Sequence, residues 1–205
     1  MAIQITTLFY KELIIKKKNI IYMARCNLTS LSNLERACTN KGGVYTEIYI
    51  TLRENLDEVT FVETEAPFNT ISNITLKDGK KWNVLQYHKN SVNFTSTAQF
   101  DSQTGQFSYF ENALNLQFRR MDAVLRLNTM SLLQNECIVL VTDNNGVTYL
   151  MGMEEYVSAN SATFDSGVNK TDSNMVAITL VDTTTELPYH LSESAMETVK
   201  ANVME

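Results

Sequence analysis

The stretch "SVNFTSTAQFDSQTGQFSYFENALNLQF", Ser91 to Phe118, decides how the rest of the chain is read. Apolar and polar residues alternate along it with the period of two that marks β-structure. Its first ten residues carry no formal charge. On this first strand Val92, Phe94, Ala98 and Phe100 share one face with Ser96, and Asn93, Thr95, Thr97 and Gln99 take the other. "DSQTG" turns the chain, with Gly105 free to take a positive φ. The return strand begins with Phe107 and Tyr109 on one face, then Phe110, Leu114, Leu116 and Phe118 fall on the other parity. That phase flip predicts a β-bulge between Phe110 and Ala113. The return residues would span ~40 Å, about twice a typical strand.

A free strand edge invites pairing with other chains, and monomeric proteins guard it with Lys, Pro, bulges or inward charges. Ser91 to Phe100 has no charged or Pro guard. Either another strand of the same domain covers the edge or a second copy does, and the length of the hairpin favours the second. The expectation is a hairpin that pairs across subunits and builds the wall of a ring or barrel. Val92, Phe94, Phe100, Leu114, Leu116 and Phe118 are its packing face. Asn93, Thr95, Thr97, Gln99, Gln106 and Ser108 look into a channel. Such packing is heterologous, closes by rotation, and gives each subunit two interfaces.

Around this hairpin the chain reads as mainly β with one flanking helix, an α+β class. "VYTEIYITL", Val44 to Leu52, alternates as a strand, and "VTFVE" and "ISNITL" are weaker candidates. Arg53–Pro67 is read as an acidic rim loop carrying Glu54, Asp57, Glu58, Glu63 and Glu65. Solvated surface is its default meaning, and a docking rim for a basic partner is the alternative. "KDGK" is a turn leading into "KWNVLQY". In "RRMDAVLRLNTMSLLQ" the period changes: Met121, Val124, Leu125 and Leu132 sit at helical spacings and predict a core-packing helix. "CIVLVTDNNGVTYLMG" is a hairpin whose Asn145-Gly146 pair predicts a type I′ turn. "MVAITLVD" reads as a late strand and "TFDSGVNKTD" as a loop. "SAMETVKANVM" has a capping box, Ser194 with Glu197, and a Met196, Val199, Val203 stripe. It predicts a terminal helix that docks on a neighbour, or a frayed end. A first capping box, Ser32 with Glu35, predicts a short helix stopped at Gly42 and Gly43. The domain reading is an arm or extension at 1–30, one β-rich domain at 31–191, and a helix or tail at 192–205.

The 205 residues, 44% hydrophobic and 20% charged, suffice for a sizeable core, and with 7 Gly and 2 Pro no flexible linker divides them. The net charge of −6 is uneven. Lys11, Lys16, Lys17 and Lys18 against Glu12 make residues 1–22 locally +3, leaving −9 for residues 23–205. An acidic body argues against gripping nucleic acid, which needs Lys and Arg, but not against letting DNA pass. No apolar run reaches the ~18 residues of a membrane helix, so no membrane partner is expected. The first 22 residues lack an unbroken export-signal core. They read as translation upstream of a start at Met23, or as a basic arm.

Chemistry is sparse. Cys26, Cys38 and Cys137 form no Cys-x-x-Cys pair and read as free thiols. The sequons at Asn27, Asn73, Asn93 and Asn169 follow from an Asn- and Thr-rich composition. His88 and His190 stand outside any nucleophile or metal pattern and read as surface or turn residues. No phosphate-loop, dinucleotide, nucleophile-elbow or zinc-protease motif is present. "DNNG" lacks the acidic positions of a calcium loop. No catalytic, cofactor or metal residue is assigned, and the reading is non-enzymatic.

The succession of a Cys-containing N-terminus, "TNKGGVYTEIYIT", the long hairpin, one helix, "CIVLVTDNNGVTYLMG" and "DSGVNKTDSNMVAITL" resembles tail-tube-like virion proteins of tailed bacteriophages, and most resembles those of gut phages such as the crAss-like group. The resemblance runs from Leu34 to Leu191. It implies an antiparallel β-sandwich or barrel of tail-tube type, with a flanking helix and a protruding hairpin. It also implies assembly with copies of itself into closed rings, sixfold in tubes or twelvefold in connectors. Adjacent ring, portal or tail proteins are the implied partners, with genomic DNA as passing cargo. The implied location is the virion tail or neck, after assembly in the host cytoplasm. Residues 1–22 depart from the pattern. Alternatives are a head–tail completion or cargo protein and, from another class, a small-ligand-binding β-protein or hydrolase.

Overall fold

The computed structural model describes residues 40–62, 70–120, 122–169 and 171–204. The early capping box, Cys26, Cys38 and the basic N-terminal stretch lie outside the described residues. In chain order the elements are β1 (Val44–Leu52), a 3-10 turn (Arg53–Asn55), β2 (Leu56–Phe61), β3 (Thr70–Leu76), β4 (Asn83–Gln86), β5 (Val92–Phe100), β6 (Phe107–Arg119), α1 (Ala123–Gln134), β7 (Cys137–Asp143), β8 (Thr148–Met151), β9 (Ser158–Asp165), β10 (Met175–Thr184), β11 (Tyr189–Leu191) and α2 (Glu193–Ala201). Over the described residues the protein is mainly β with two helices. A seven-stranded sheet has the order β2-β3-β11-β8-β7-β1-β4, and a four-stranded sheet has the order β5-β6-β10-β9. Every named pairing is antiparallel except β3 with β11.

The run "CIVLV" is apolar throughout because β7 is buried on both faces. Cys137, Val139 and Val141 join Ile48, Ile50 and Met151 on one side of the large sheet. That cluster is completed by Leu114, Leu116 and Phe118 of β6 and Val176, Ile178 and Leu180 of β10. Ile138 and Leu140 face the other way, with Tyr49, Leu150 and Trp82, and are covered by Ala195, Met196 and Val199 of α2. The large sheet is thus a middle layer between the small sheet and α2. Burying a Leu or Ile side chain contributes about 1.5–3 kcal/mol, so both clusters drive folding.

Several expectations change. The C-terminal helix docks on its own chain, not on a neighbour. Its N-cap is Ser192, whose Oγ accepts from Ala195 N at 3.2 Å, rather than Ser194. The tail beyond it is held by backbone bonds to Trp82. The supposed rim loop is, over its described part, the 3-10 turn followed by β2. Leu56 and Val59 pack against the second cluster while Asp57 and Glu58 point to solvent. The 143–147 turn is not type I′, because Asn145 does not take a positive φ and only Gly146 does, at 91°. Gly146 N donates to Asp143 O, and Asp143 Oδ1 accepts from the N–H groups of Asn145 and Val147. This is a three-residue loop ending in a left-handed Gly. His190 is a surface residue, as expected, but it lies on β11 rather than in a turn, with its ring 5.0 Å from that of Tyr149.

The long helix is not simply a core helix. Asp122 caps it by accepting from Leu125 N at 2.8 Å. Leu132 is buried and Leu125 packs on the first cluster, but Val124 is 67% and Leu127 71% exposed, and Met130 and Leu133 are exposed as well. Apolar residues on both sides of a helix leave one side uncovered whichever way it packs.

Candidate functional site

The hairpin read from the sequence forms one margin of the four-stranded sheet. β5 pairs with β6 from Val92↔Leu116 to Phe100↔Phe107. The turn between them is held by Asp101, whose Oδ1 accepts from Gln103 N, Thr104 N and Thr104 Oγ1. These bonds, led by that from the Thr104 backbone, hold the Asp101 carboxyl below the usual carboxylate range. Gly105 takes φ 67°, as expected. The bulge lies nearer the turn than the sequence suggests: the partner steps from Tyr109 to Phe107 between Gln99 and Phe100, skipping Ser108. Phe110, Asn112, Leu114, Leu116 and Phe118 then keep one parity inward. The break falls where β10 has ended, since its last partner on β6 is Phe110.

Within the packing face, Leu114, Leu116 and Phe118 are buried, and Val92 and Phe94 pack against the same cluster. Phe100 does not: it is 62% exposed, beside Phe107, itself 44% exposed, at 6.1 Å between ring centroids. Phe100 lies beyond the last pairing of β10 with β6, Thr184 opposite Phe110, at the free end of the hairpin. Phe107 in turn meets Phe110 at 4.8 Å, so the tip carries a small aromatic cluster.

On the other face Asn93, Thr95 and Thr97 are exposed, Gln99 is half-buried, and Gln106 and Ser108 are exposed at the tip. Pairing across the sheet shows what the hairpin alone could not. Asn93, Asn115, Thr179 and Ser161 stand in register across all four strands, and Thr179 Oγ1 donates to Asn115 Oδ1 at 2.9 Å. Thr97 faces Glu111, which faces Thr183. The surface is therefore mostly neutral and polar, with Glu111 as an acidic member that hairpin reading overlooked. Thr179 and Ser161 were hidden because β10 and β9 join the hairpin only in three dimensions, whereas Asn115 stands on the hairpin's own return strand and was overlooked.

Both outer edges of this sheet, β5 and β9, have no strand beside them among the described residues. β9 had no sequence signal, because "SANSATFD" lacks apolar alternation, and most of it is exposed. From Ser158 to Phe164 it too is uncharged.

The inward row at the level of Ser96 is unusual. Ser96, Asn112 and Asp182 are in register across three strands. Asn112 and Asp182 are buried, and Ser96 Oγ, Asn112 Oδ1 and Asp182 Oδ1 have no hydrogen-bond partner among the described residues. Asp182 Oδ2 accepts from Gly152 N at 2.7 Å, and Asn112 Nδ2 donates to Thr184 Oγ1 at 3.0 Å. Burial pushes the Asp182 carboxyl above its ordinary value, against the lowering effect of the Gly152 hydrogen bond and the neighbouring Asn112 amide, with Glu154 and Glu155 adding to the rise.

Beside β5 a cleft of about 510 Å³ opens between the sheets, lined by Phe94, Ser96, Val141, Tyr149, Pro188 and His190 among others. Phe94 and Tyr149 stack at 5.5 Å across it. Among the described residues no group of three or more His, Cys, Asp or Glu side chains is placed to hold a metal ion. Cys137 is buried, and burial pushes its thiol up to about 11, far from a reactive thiolate. Among the described residues no helix is long and apolar enough to cross a membrane. No protein-family model, no curated protein and no solved structure matches the chain.

Proposed function

We propose that this protein is a non-enzymatic structural subunit of a closed ring or tube, of the tail-tube or neck type found in tailed-phage virions. In this reading its two sheets form a β-sandwich, and the small sheet joins those of its neighbours into a continuous wall. The observation that carries the reading is the pair of open, uncharged edges on one antiparallel sheet of four strands. With an even number of antiparallel strands, β5 and β9 run in opposite directions. A rotation that preserves strand direction then sets β9 of one copy antiparallel to β5 of the next. The row Asn93, Asn115, Thr179 and Ser161 would line the bore. Neutral side chains on an acidic protein offer passing DNA few cations to stick to. Adjacent ring, portal or tail proteins are the partners this role needs, and a head–tail completion role uses the same edges.

Size measurement by light scattering and negative-stain imaging of the full chain tests this. Discs or tubes with a central hole are expected. Thr95→Lys with Thr97→Lys, placed on the exposed side of β5, should return the protein to monomers with an unchanged circular dichroism spectrum. Persistence of rings in that variant, or a wild-type chain that stays monomeric at high concentration, overturns the reading.

A further inference from the structure

The small sheet's two edges are each accompanied by an uncovered apolar surface, and the two surfaces differ in shape. Helix α1 leads directly into the start of β7 and packs beside β9. The cleft lies at the other end of β7, lined by Val141 and Asp143, beside β5. Seven strand residues separate them by ~20 Å. One end of the core therefore presents a convex helix whose Val124, Leu127 and Met130 are exposed, and the other presents a hollow walled by Phe94, Tyr149 and Leu187.

We propose that the occupant of the cleft is helix α1 of the next copy, seated when β9 of that copy meets β5. This rests on the ring reading above and names the second contact of its interface. Three features support that occupant over an unrelated one. Head-to-tail packing needs different, complementary surfaces on opposite sides of one molecule, which a helix and a hollow provide. The helix with its cap carries one charge of each sign, Asp122 and Arg126, one turn apart, and the hollow also carries one of each, Lys41 and Asp143. The hollow's lining includes the exposed side-chain amide of Asn93, and Asn128, exposed beside Leu127, carries an amide that can pair with it.

The test uses the full chain with a photo-crosslinking phenylalanine analogue in place of Leu127, and separately the variant Leu127→Glu. Leu127 is largely exposed, so neither change should alter the melting temperature of the monomer. Crosslinks are expected between copies, onto peptides carrying Phe94, Tyr149 or Leu187. The concentration for half-assembly of Leu127→Glu should rise by about tenfold or more. Rings that form but crosslink elsewhere, or that assemble unchanged with Leu127→Glu, overturn the helix-in-cleft contact and leave the ring reading standing. A small molecule found in the cleft of assembled rings overturns it in the same way. A wild-type chain that never assembles overturns both.

Discussion

The two sheets of this protein treat their edges differently. The seven-stranded sheet ends on β2, where Asp57 and Glu58 are exposed, and on β4, which is four residues long. Both are standard guards against unwanted pairing. The four-stranded sheet ends on β5 and β9, nine and eight residues long, with no charge before Asp165. The same chain thus protects one sheet and leaves the other open, which shows that its composition does not simply lack charges to spend on edges. The guarded sheet also holds the molecule together, with apolar side chains buried on both faces. The open sheet buries one face and presents the other.

That contrast can be attacked where it should be strongest. Gly152, at φ 91°, leaves no room for a side chain: a Cβ there would meet Cys137 O at 2.8 Å and Val157 at 3.0 Å. Gly152→Ala should unfold the guarded sheet's end or lower its melting temperature by ten degrees or so, as a clash with backbone costs about 3 kcal/mol or more. Trp82→Ala, at a fully buried ring in the second cluster, should cost about 3–5 kcal/mol in denaturant unfolding. On the open sheet, Phe100→Ala should leave unfolding within about 0.5 kcal/mol of wild type, because the ring is mostly in water. A loss as large as that of Trp82→Ala would show that the tip is core after all.

Asp182 joins the two sheets through Gly152, and its removal sharpens the comparison. Asp182→Ala strands the Gly152 N–H and should cost about 1–3 kcal/mol, whereas Asp182→Asn keeps an acceptor and should cost less. The folded carboxyl titrates above its unfolded value, so the native state holds its proton longer. Its contribution to stability is present below the unfolded value and is lost as pH rises through the folded one. Asp182→Asn should flatten that loss in melting curves taken across the weakly acidic range. Asp101 has the opposite sign: its lowered carboxyl supports the hairpin turn at neutral pH and releases it as pH falls. Because Asp101 is fully exposed, the effect of Asp101→Asn should be the smallest of these, visible as faster amide exchange at the turn.

Much of this molecule is legible in its residues. Val44 to Leu52 is bounded as a strand by its own alternation, and the hairpin of Cys137 to Met151 by its apolar run and its Asn145-Gly146 pair, although not the type of its turn. Gly105 marks the turn it makes. Local period and turn chemistry suffice there because one strand's pattern reflects its own two faces. Other features belong to pairings between distant segments. The position of the bulge and the exposure of Phe100 both go with where β10 stops. The role of "SAMETVKANVM" depends on β3 and β7 offering it an apolar face.

The sequence by itself determined that a long, alternating hairpin with an uncharged first strand exists and, away from its bulge, which of its side chains share a face, because side-chain alternation is a property of one strand. Only the tertiary structure decided that this hairpin lies at a sheet margin, that the unassuming "SANSATFD" forms the opposite margin, and that Ser96, Asn112 and Asp182 meet inside. Those relations are set by which strands hydrogen-bond side by side, and hydrogen bonds between backbones carry no record of the side chains that will face each other across them.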